Sequence, residues 1–330
     1  MRVTVLGAGA VGLRVVSILA AQADVERVTV RHREPDRVRA ALSKWGDRVH
    51  LRKGLAGEPT EGADVTVIAV PAAVRRAAIR AIDARSHVVC PVDDPIDVRH
   101  LLELDARARA AERTVVVGSA MAPGLSCVLA RHMAAALDSV DEVHVAGFGT
   151  GGPACARRHH AALAGIAVDY TDGTFRRRAG GSGRELVWFP EPVGGADCYR
   201  AALADPLLLA PAFDGCRRIT AGLAATRRDR LTSWLPMLRR PHPEGLVGAV
   251  RVELRGWLDG RPESRILGAA APPAAVAAAV TATAARWAAQ DRLARSGAGG
   301  LAELVGQPTL FLKEVGDLGI TISAFEGSRL

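Results

Sequence analysis

Short apolar runs alternate with helical patterns through the first third of the chain. Residues 3–6, 28–31, 64–70, 87–90 and 114–117 are runs of Val, Ile, Leu, Thr and Ala with almost no polar interruption. Runs of that length read as strands buried on both faces, the habit of a parallel sheet covered by helices. The first is followed by apolar positions Val15, Val16, Ile18 and Leu19, one face of a helix. The last opens into an apolar helix through Leu129 and Met133. Beyond Leu137 the period changes: residues 140–148 and 247–254 alternate apolar with polar positions, as half-exposed strands of a mixed or antiparallel sheet do. Residues 274–295 predict one long helix, and 309–313 and 319–323 read as strands. The expected fold is α/β: a doubly wound parallel sheet over 1–135, then an α+β domain over 136–330. The last segment, about 305–330, is expected to return to the first domain.

Composition narrows the function. A chain of 330 residues with 49% hydrophobic positions suits two folded domains. Aromatics at 4% are too few for a base-stacking surface. The net charge of +8 comes from basic residues spread in short pairs, all arginine except Lys44, Lys53 and Lys313, so no nucleic-acid partner is expected. Five cysteines at wide spacing, without a C-x-x-C pair, predict free thiols and a reducing, cytoplasmic setting. The apolar N-terminus is broken by glycines and Arg14, which an export signal would avoid. The alanine-rich stretch 269–289 is interrupted by Pro272, Pro273 and Arg286, so no membrane span is expected.

The chemistry begins where the first strand runs into Gly7-Ala8-Gly9-Ala10-Val11-Gly12 and then a helix. In that context a G-x-G-x-x-G motif marks a dinucleotide-binding Rossmann unit. Gly7 permits the tight turn, Gly9 lets backbone approach a pyrophosphate, and Gly12 lets helix and strand pack closely. The pyrophosphate would lie at the helix N-terminus. An NAD site places a carboxylate about 20 residues beyond the last glycine; His32 and Arg33 stand there instead. Basic groups at that point suit the 2′-phosphate of NADP; Glu34, two positions late, would serve NAD if it bent back. Three further strand ends, Ala69-Val70-Pro71, Asp93 and Met121, are expected to wall the nicotinamide half. Two roles fit Asp93 and its neighbour Asp94: a ligand contact, or capping of the next helix.

The segment Gly118-Ser-Ala-Met121-Ala-Pro123-Gly124-Leu-Ser126, downstream of that fingerprint, resembles the saccharopine dehydrogenase-like family. The resemblance covers residues 1 to about 135, and beyond that it is one of domain order. It implies an NAD(P)-dependent oxidoreductase acting on a carbon–nitrogen bond of an amino acid or related small metabolite. It also implies that Pro123 and Gly124 border the substrate. Family members often carry an acidic residue before that Pro-Gly, where this chain has Ala122.

In the second domain, Gly149-Thr150-Gly-Gly-Pro153-Ala-Cys155-Ala-Arg157-Arg158-His159-His160 predicts a helix whose start forms an anion or carboxylate pocket using Thr150 and Arg157. His159 is a candidate proton donor, with a structural histidine as the competing reading. Cys155 lies four residues before it on the same face, a spacing that also arises by chance. Zinc held by Cys155, His159 and His160 is not expected, because adjacent histidines diverge on a helix. Arg184, in a glycine-punctuated aromatic segment, could clamp a substrate carboxylate or form a surface ion pair. The remaining expectations are a homodimer that covers the second sheet's open face and two alternative functions. One is a redox-neutral synthase or cyclodeaminase on a bound cofactor, the other a non-catalytic dinucleotide sensor.

Overall fold

The computed structural model describes residues 1–54, 62–237, 240–243 and 245–325. The first apolar runs form parallel strands β1 (Arg2–Leu6), β2 (Arg27–His32), β3 (Val49–Lys53), β4 (Val65–Ile68), β5 (His87–Cys90) and β6 (Thr114–Val117). With a late strand, Gly297–Gly299, they make one sheet in the order Gly297–Gly299, β6, β5, β4, β1, β2, β3. The order reverses direction between β1 and β4, the doubly wound arrangement of a Rossmann domain, and a crevice opens at that switch point. Strands β4, β5 and β6 are buried at every residue, which is why their sequence shows no alternation.

The second sheet is mixed. Its strands are β7 (Ser139–Phe148), β8 (Ile166–Thr171), β9 (Thr174–Ala179), β10 (Glu185–Phe189), β11 (Gly194–Arg200), β12 (Arg218–Ala224), β13 (Gly248–Leu258) and β14 (Arg261–Ala271). The order is β10, β11, β12, β7, β13, β14, with Ile322–Phe325 on the far edge and β8 and β9 paired beside β12. Only β12 and β7 run parallel; the other neighbours are antiparallel. One face packs on the first domain, and the other presents polar residues such as Glu142, His144, Arg251 and Glu253. That division produces the two-residue period of β7 and β13.

The chain returns to the first sheet earlier than the sequence suggests. Helix Pro273–Ala289 lies against helix Ala10–Ala21 and strands β4 and β5. Nearly all of it is buried. Alanine at most positions lets it approach the sheet closely, and Trp287 fills its end, edge-on to Phe311 at 5.1 Å between ring centres. Gly297–Gly299 then extends the first sheet beside β6. Residues 309–313, expected as a strand, belong to helix Pro308–Asp317. Pro308 starts that helix, and Phe311 and Val315, four apart, pack inward together, so tertiary burial overrides the local strand pattern. The final strand, Ile322–Phe325, pairs with β14 in the second sheet rather than with the first; residues 326–330 lie outside the described residues.

His87, at the head of β5, links the sheet to the acid stability of the fold. Its Nδ1 accepts a hydrogen bond from the Thr114 backbone N–H at 3.1 Å, which requires an unprotonated Nδ1. Burial, aided by Arg113, lowers its pKa below the usual 6.5. A depressed folded-state value in a base means stability that is present above pH 6.5 and lost as pH falls through the folded value. Thermal unfolding should therefore shift to lower temperature between neutral pH and pH ~5. His87→Gln, whose side-chain carbonyl can accept the same bond, should reduce that shift; an unchanged slope would remove His87 as its source.

Candidate active site

A cavity of about 850 Å³ lies in the crevice between the two sheets. Its floor is the turn from β1 into helix Ala10–Ala21. Gly7 has φ +95, open to glycine, and a Cβ there would meet the Ala69 carbonyl at 2.5 Å. A Cβ on Gly12 would run into the Gly7 carbonyl. Gly9 differs: a Cβ there would meet nothing within 4 Å, because it faces the open cavity. The sequence thus removes side chains where backbone must touch backbone, and leaves the backbone uncovered where it faces the cavity.

Every residue of Gly7-Ala8-Gly9-Ala10-Val11-Gly12 lines the cavity, as do His32 and Arg33 at the end of β2. Ala69, Val70 and Pro71 line it after β4, and Met121 after β6. Arg31 lines the cavity beside His32 and Arg33, and Arg76, which the sequence did not mark, lines it as well. Glu34 turns away; its carboxylate pairs with Arg37 at 2.6 Å, on the surface.

The opposite end of the cavity is charged and half-enclosed. Asp93 and Asp94, alike in the sequence, divide the two roles. Asp94 caps helix Pro95–Leu102, accepting from the N–H groups of Ile96 and Asp97 at 2.9 and 3.1 Å. Asp93 is thereby left for the cavity, where it is 8% exposed. Helix Pro153–Ala162 lowers three side chains onto it. The Arg158 Nη1–H donates to Asp93 Oδ1 in a short contact. His159 Nε2 lies 3.3 Å from Asp93 Oδ2. The Cys155 Sγ lies 3.7 Å from the same oxygen and 3.6 Å from His159 Nε2. Burial disfavours the Cys155 thiolate, but the adjacent His159 outweighs it and draws the thiol pKa below its ordinary value. Burial likewise disfavours a charged His159, and Cys155 outweighs it, raising the imidazole value. Cys90, which also lines the cavity, behaves oppositely: burial pushes its thiol up to about 12.

Behind this cluster lies Asp205, wholly buried. It accepts from the Ser126 hydroxyl at 2.6 Å through Oδ1. Its Oδ2 and the Nδ1 of His159 are both buried without a hydrogen-bond partner among the described residues. Burial raises the Asp205 pKa to about 6.

Four expected substrate contacts fall elsewhere. Pro123 and Gly124 build the turn rather than border the cavity. The Ala122–Pro123 peptide is cis, Gly124 folds against the Ala120 backbone, and the Ala120 N–H donates to the Pro123 carbonyl at 2.9 Å. It is Ala120, Met121 and Ala122 that reach the cavity. Thr150 is passed over while Gly149 and Gly151 line the wall; its carbonyl abuts Gly245. Arg184 is on the outer surface in an ion pair with Asp197 at 2.9 Å. Arg157 does line the cavity, with an exposed side chain. His160 diverges from His159, its ring against the carbonyls of Thr232 and Leu235 at 3.1 and 3.2 Å.

No family model and no curated relative matches the chain. Solved structures do. The apo, histidine-tagged saccharopine dehydrogenase (L-Glu forming) from Saccharomyces cerevisiae superposes with a TM-score of 0.71. The match covers 98% of this chain and 99% of that one at 15% identity. The fold is that of saccharopine dehydrogenase. An engineered D-amino acid dehydrogenase matches more loosely, with a TM-score of 0.51 at 14% identity over 93% of this chain and 95% of its own. The saccharopine dehydrogenase likeness runs through the second sheet as well as the first, well past the residues that carry the resemblance in sequence. No helix among the described residues is long and apolar enough to cross a membrane.

The floor of the site has a direct stability test. Gly12→Ala forces a Cβ into the Gly7 carbonyl, so urea unfolding should show a loss of about 1–3 kcal/mol, the usual cost of overpacking. Gly9→Ala points into open space and should cost only a few tenths of that. Equal stabilities would mean that the turn relaxes freely.

Proposed function

We propose that this chain is an NADP-dependent oxidoreductase that moves a hydride between the nicotinamide and the carbon of a carbon–nitrogen bond. Its substrate would be an amino acid or a related small metabolite. One observation carries the reading. A glycine turn at the switch point of a doubly wound sheet opens into a cavity whose far end holds Asp93, Arg158, His159 and Cys155.

A dinucleotide suits the first half of that cavity on three grounds. Gly9 leaves its backbone uncovered, the free N–H groups of a helix start lie beside it, and the space is long enough to reach from β2 to β5. The cofactor, once bound, supplies the hydride chemistry. The chain's own residues do the rest. Arg33, with Arg31 beside it, supplies positive charge where a 2′-phosphate would lie, His32 lines the same end, and the withdrawal of Glu34 onto Arg37 removes the competing carboxylate. Ala69 to Pro71 and Met121 present an apolar wall, which favours a flat ring and excludes water. His159 is held by Asp93 and Cys155 within reach of the cavity, where an imidazole can give or take the proton that accompanies hydride transfer. Asp93, fixed by Arg158, orients it. Arg157, exposed on the cavity wall, is placed to attract a substrate carboxylate.

Calorimetry with NADPH and NADH tests the reading directly. Wild type should prefer NADPH, and Arg33→Ala should lose roughly 10- to 100-fold in NADPH affinity while NADH binding changes little, as expected when a charge-assisted hydrogen bond is removed. Gly9→Ala should weaken both cofactors. Binding of neither cofactor by wild type would overturn the assignment. For the chemical step, His159→Asn should retain NADPH binding and lose roughly 10²- to 10⁴-fold in turnover of a responsive imine or amino acid. Retention of full turnover would remove His159 from the proton path.

A further inference from the structure

The charged end of the cavity has a geometry that a proton relay does not require. Three donor atoms, Asp93 Oδ2, Cys155 Sγ and His159 Nε2, stand on the corners of a nearly regular triangle and lie within 4.8 Å of one another. The edges are 3.6 Å from sulfur to nitrogen, 3.7 Å from sulfur to oxygen and 3.3 Å from nitrogen to oxygen. Zinc binds thiolate at about 2.3 Å, imidazole at about 2.0–2.1 Å and carboxylate at about 2.0–2.2 Å, in tetrahedral geometry. Those bond lengths at the tetrahedral angle require edges of about 3.5–3.7 Å from sulfur to either light atom and about 3.3–3.5 Å between the light atoms. The observed triangle falls within these ranges on every edge.

We propose that Asp93, Cys155 and His159 bind one zinc ion, whose fourth position faces the cavity. This deepens the oxidoreductase reading and rests on it, since the open position would take an oxygen or nitrogen donor of the substrate or a water. The ligand set follows from the fold. Cys155 and His159, four apart, share one face of helix Pro153–Ala162, and the end of β5 supplies the third ligand in the place that a helix could not give to His160. A thiolate, an imidazole and a carboxylate suit zinc better than calcium or magnesium, which take oxygen ligands.

The surroundings also fit. Arg158 donates to Asp93 Oδ1, the oxygen that a monodentate ligand leaves free, and so aims Oδ2 at the ion. The unpartnered Oδ2 of Asp205 provides buried negative charge at the same end of the cavity. Asp93 and the Cys155 thiolate together would neutralise the ion. Three protein ligands and one open position make the pattern of a catalytic zinc site. With zinc bound, His159 would serve as a ligand and a water or substrate group in the fourth position would take over the proton role that His159 has in the metal-free site.

The test is the metal content of the full chain, purified without chelator from zinc-supplemented medium and measured by inductively coupled plasma mass spectrometry. Wild type should carry about one zinc per chain. Cys155→Ser and Asp93→Asn should lose it at least 10-fold, and His160→Gln should keep it. The protein stripped with dipicolinate and titrated with Co²⁺ should develop a thiolate-to-cobalt charge-transfer band that is absent in Cys155→Ser. NADPH binding is measured on every preparation. Wild type that binds NADPH yet holds no zinc and gives no cobalt band overturns the metal site and leaves the dinucleotide reading intact. Zinc bound with no dinucleotide affinity would instead sink the oxidoreductase reading while sustaining the metal site. Zinc retained in both Cys155→Ser and Asp93→Asn would place the ion elsewhere and overturn the assignment.

Discussion

The contact on which the site depends is the one between Asp93 and helix Pro153–Ala162. Asp93 belongs to the loop that follows β5 in the first domain, while Arg158, His159 and Cys155 belong to the second domain, and their side chains meet only because the two are docked. A carboxylate buried this deeply costs several kcal/mol unless it is paired and hydrogen-bonded. The guanidinium, imidazole and thiol of one helix turn satisfy it together. The same contact closes one end of the cavity, so the shape of that cavity follows from docking two domains across a buried carboxylate.

Docking in turn depends on how the chain covers its first sheet. Helix Pro273–Ala289 arrives from the far end of the sequence, lies beside helix Ala10–Ala21 and is buried along almost its full length. Its alanines allow an approach that larger side chains would block. β14 leads directly into this helix, so the helix anchors the second sheet to the first. Arg286 on the helix reaches Asp24 at 3.1 Å, tying the C-terminal third to the end of the first βα unit. The two domains are therefore interleaved in sequence, and the crevice between them is held from both sides.

Within the crevice, two kinds of absence shape the ligand space. Gly7 and Gly12 lack side chains because backbone meets backbone, and Gly9 lacks one where the wall is open. The polar groups are sorted by the same economy. Asp94 is consumed by capping a helix, which frees its neighbour Asp93, and Glu34 is consumed by Arg37 on the surface, away from the cavity that His32 and Arg33 line.

The first domain was legible from the sequence because its determinants are local. Buried parallel strands are continuous apolar runs, and a tight strand-to-helix turn needs glycine at fixed offsets, so Gly7 to Gly12, Ala69 to Pro71, Met121 and Asp93 could be placed without coordinates. Cys155 and His159 were legible as a pair, since helical spacing alone puts residues four apart on one face. What lies around them was not. Nothing near Asp205 in the sequence marks a buried carboxylate, and Arg158 reads as one arginine among many until Asp93 is set against it. Pro123 and Gly124 were expected as substrate contacts from the family resemblance, but a Pro-Gly turn beside a site and one within it have the same spelling. Thr150 and Arg184 erred for the same reason, since local pattern states that a residue is exposed or turned but not toward what. Residues 309–313 became helical because Phe311 and Val315 are buried against distant helices. The sequence by itself determined the elements, the glycine turn and the supply of ionisable groups, all set by interactions within a few residues. Only the tertiary structure decided which of those groups share one low-dielectric pocket, because that depends on contacts between segments more than sixty residues apart, as Asp93 and Arg158 are.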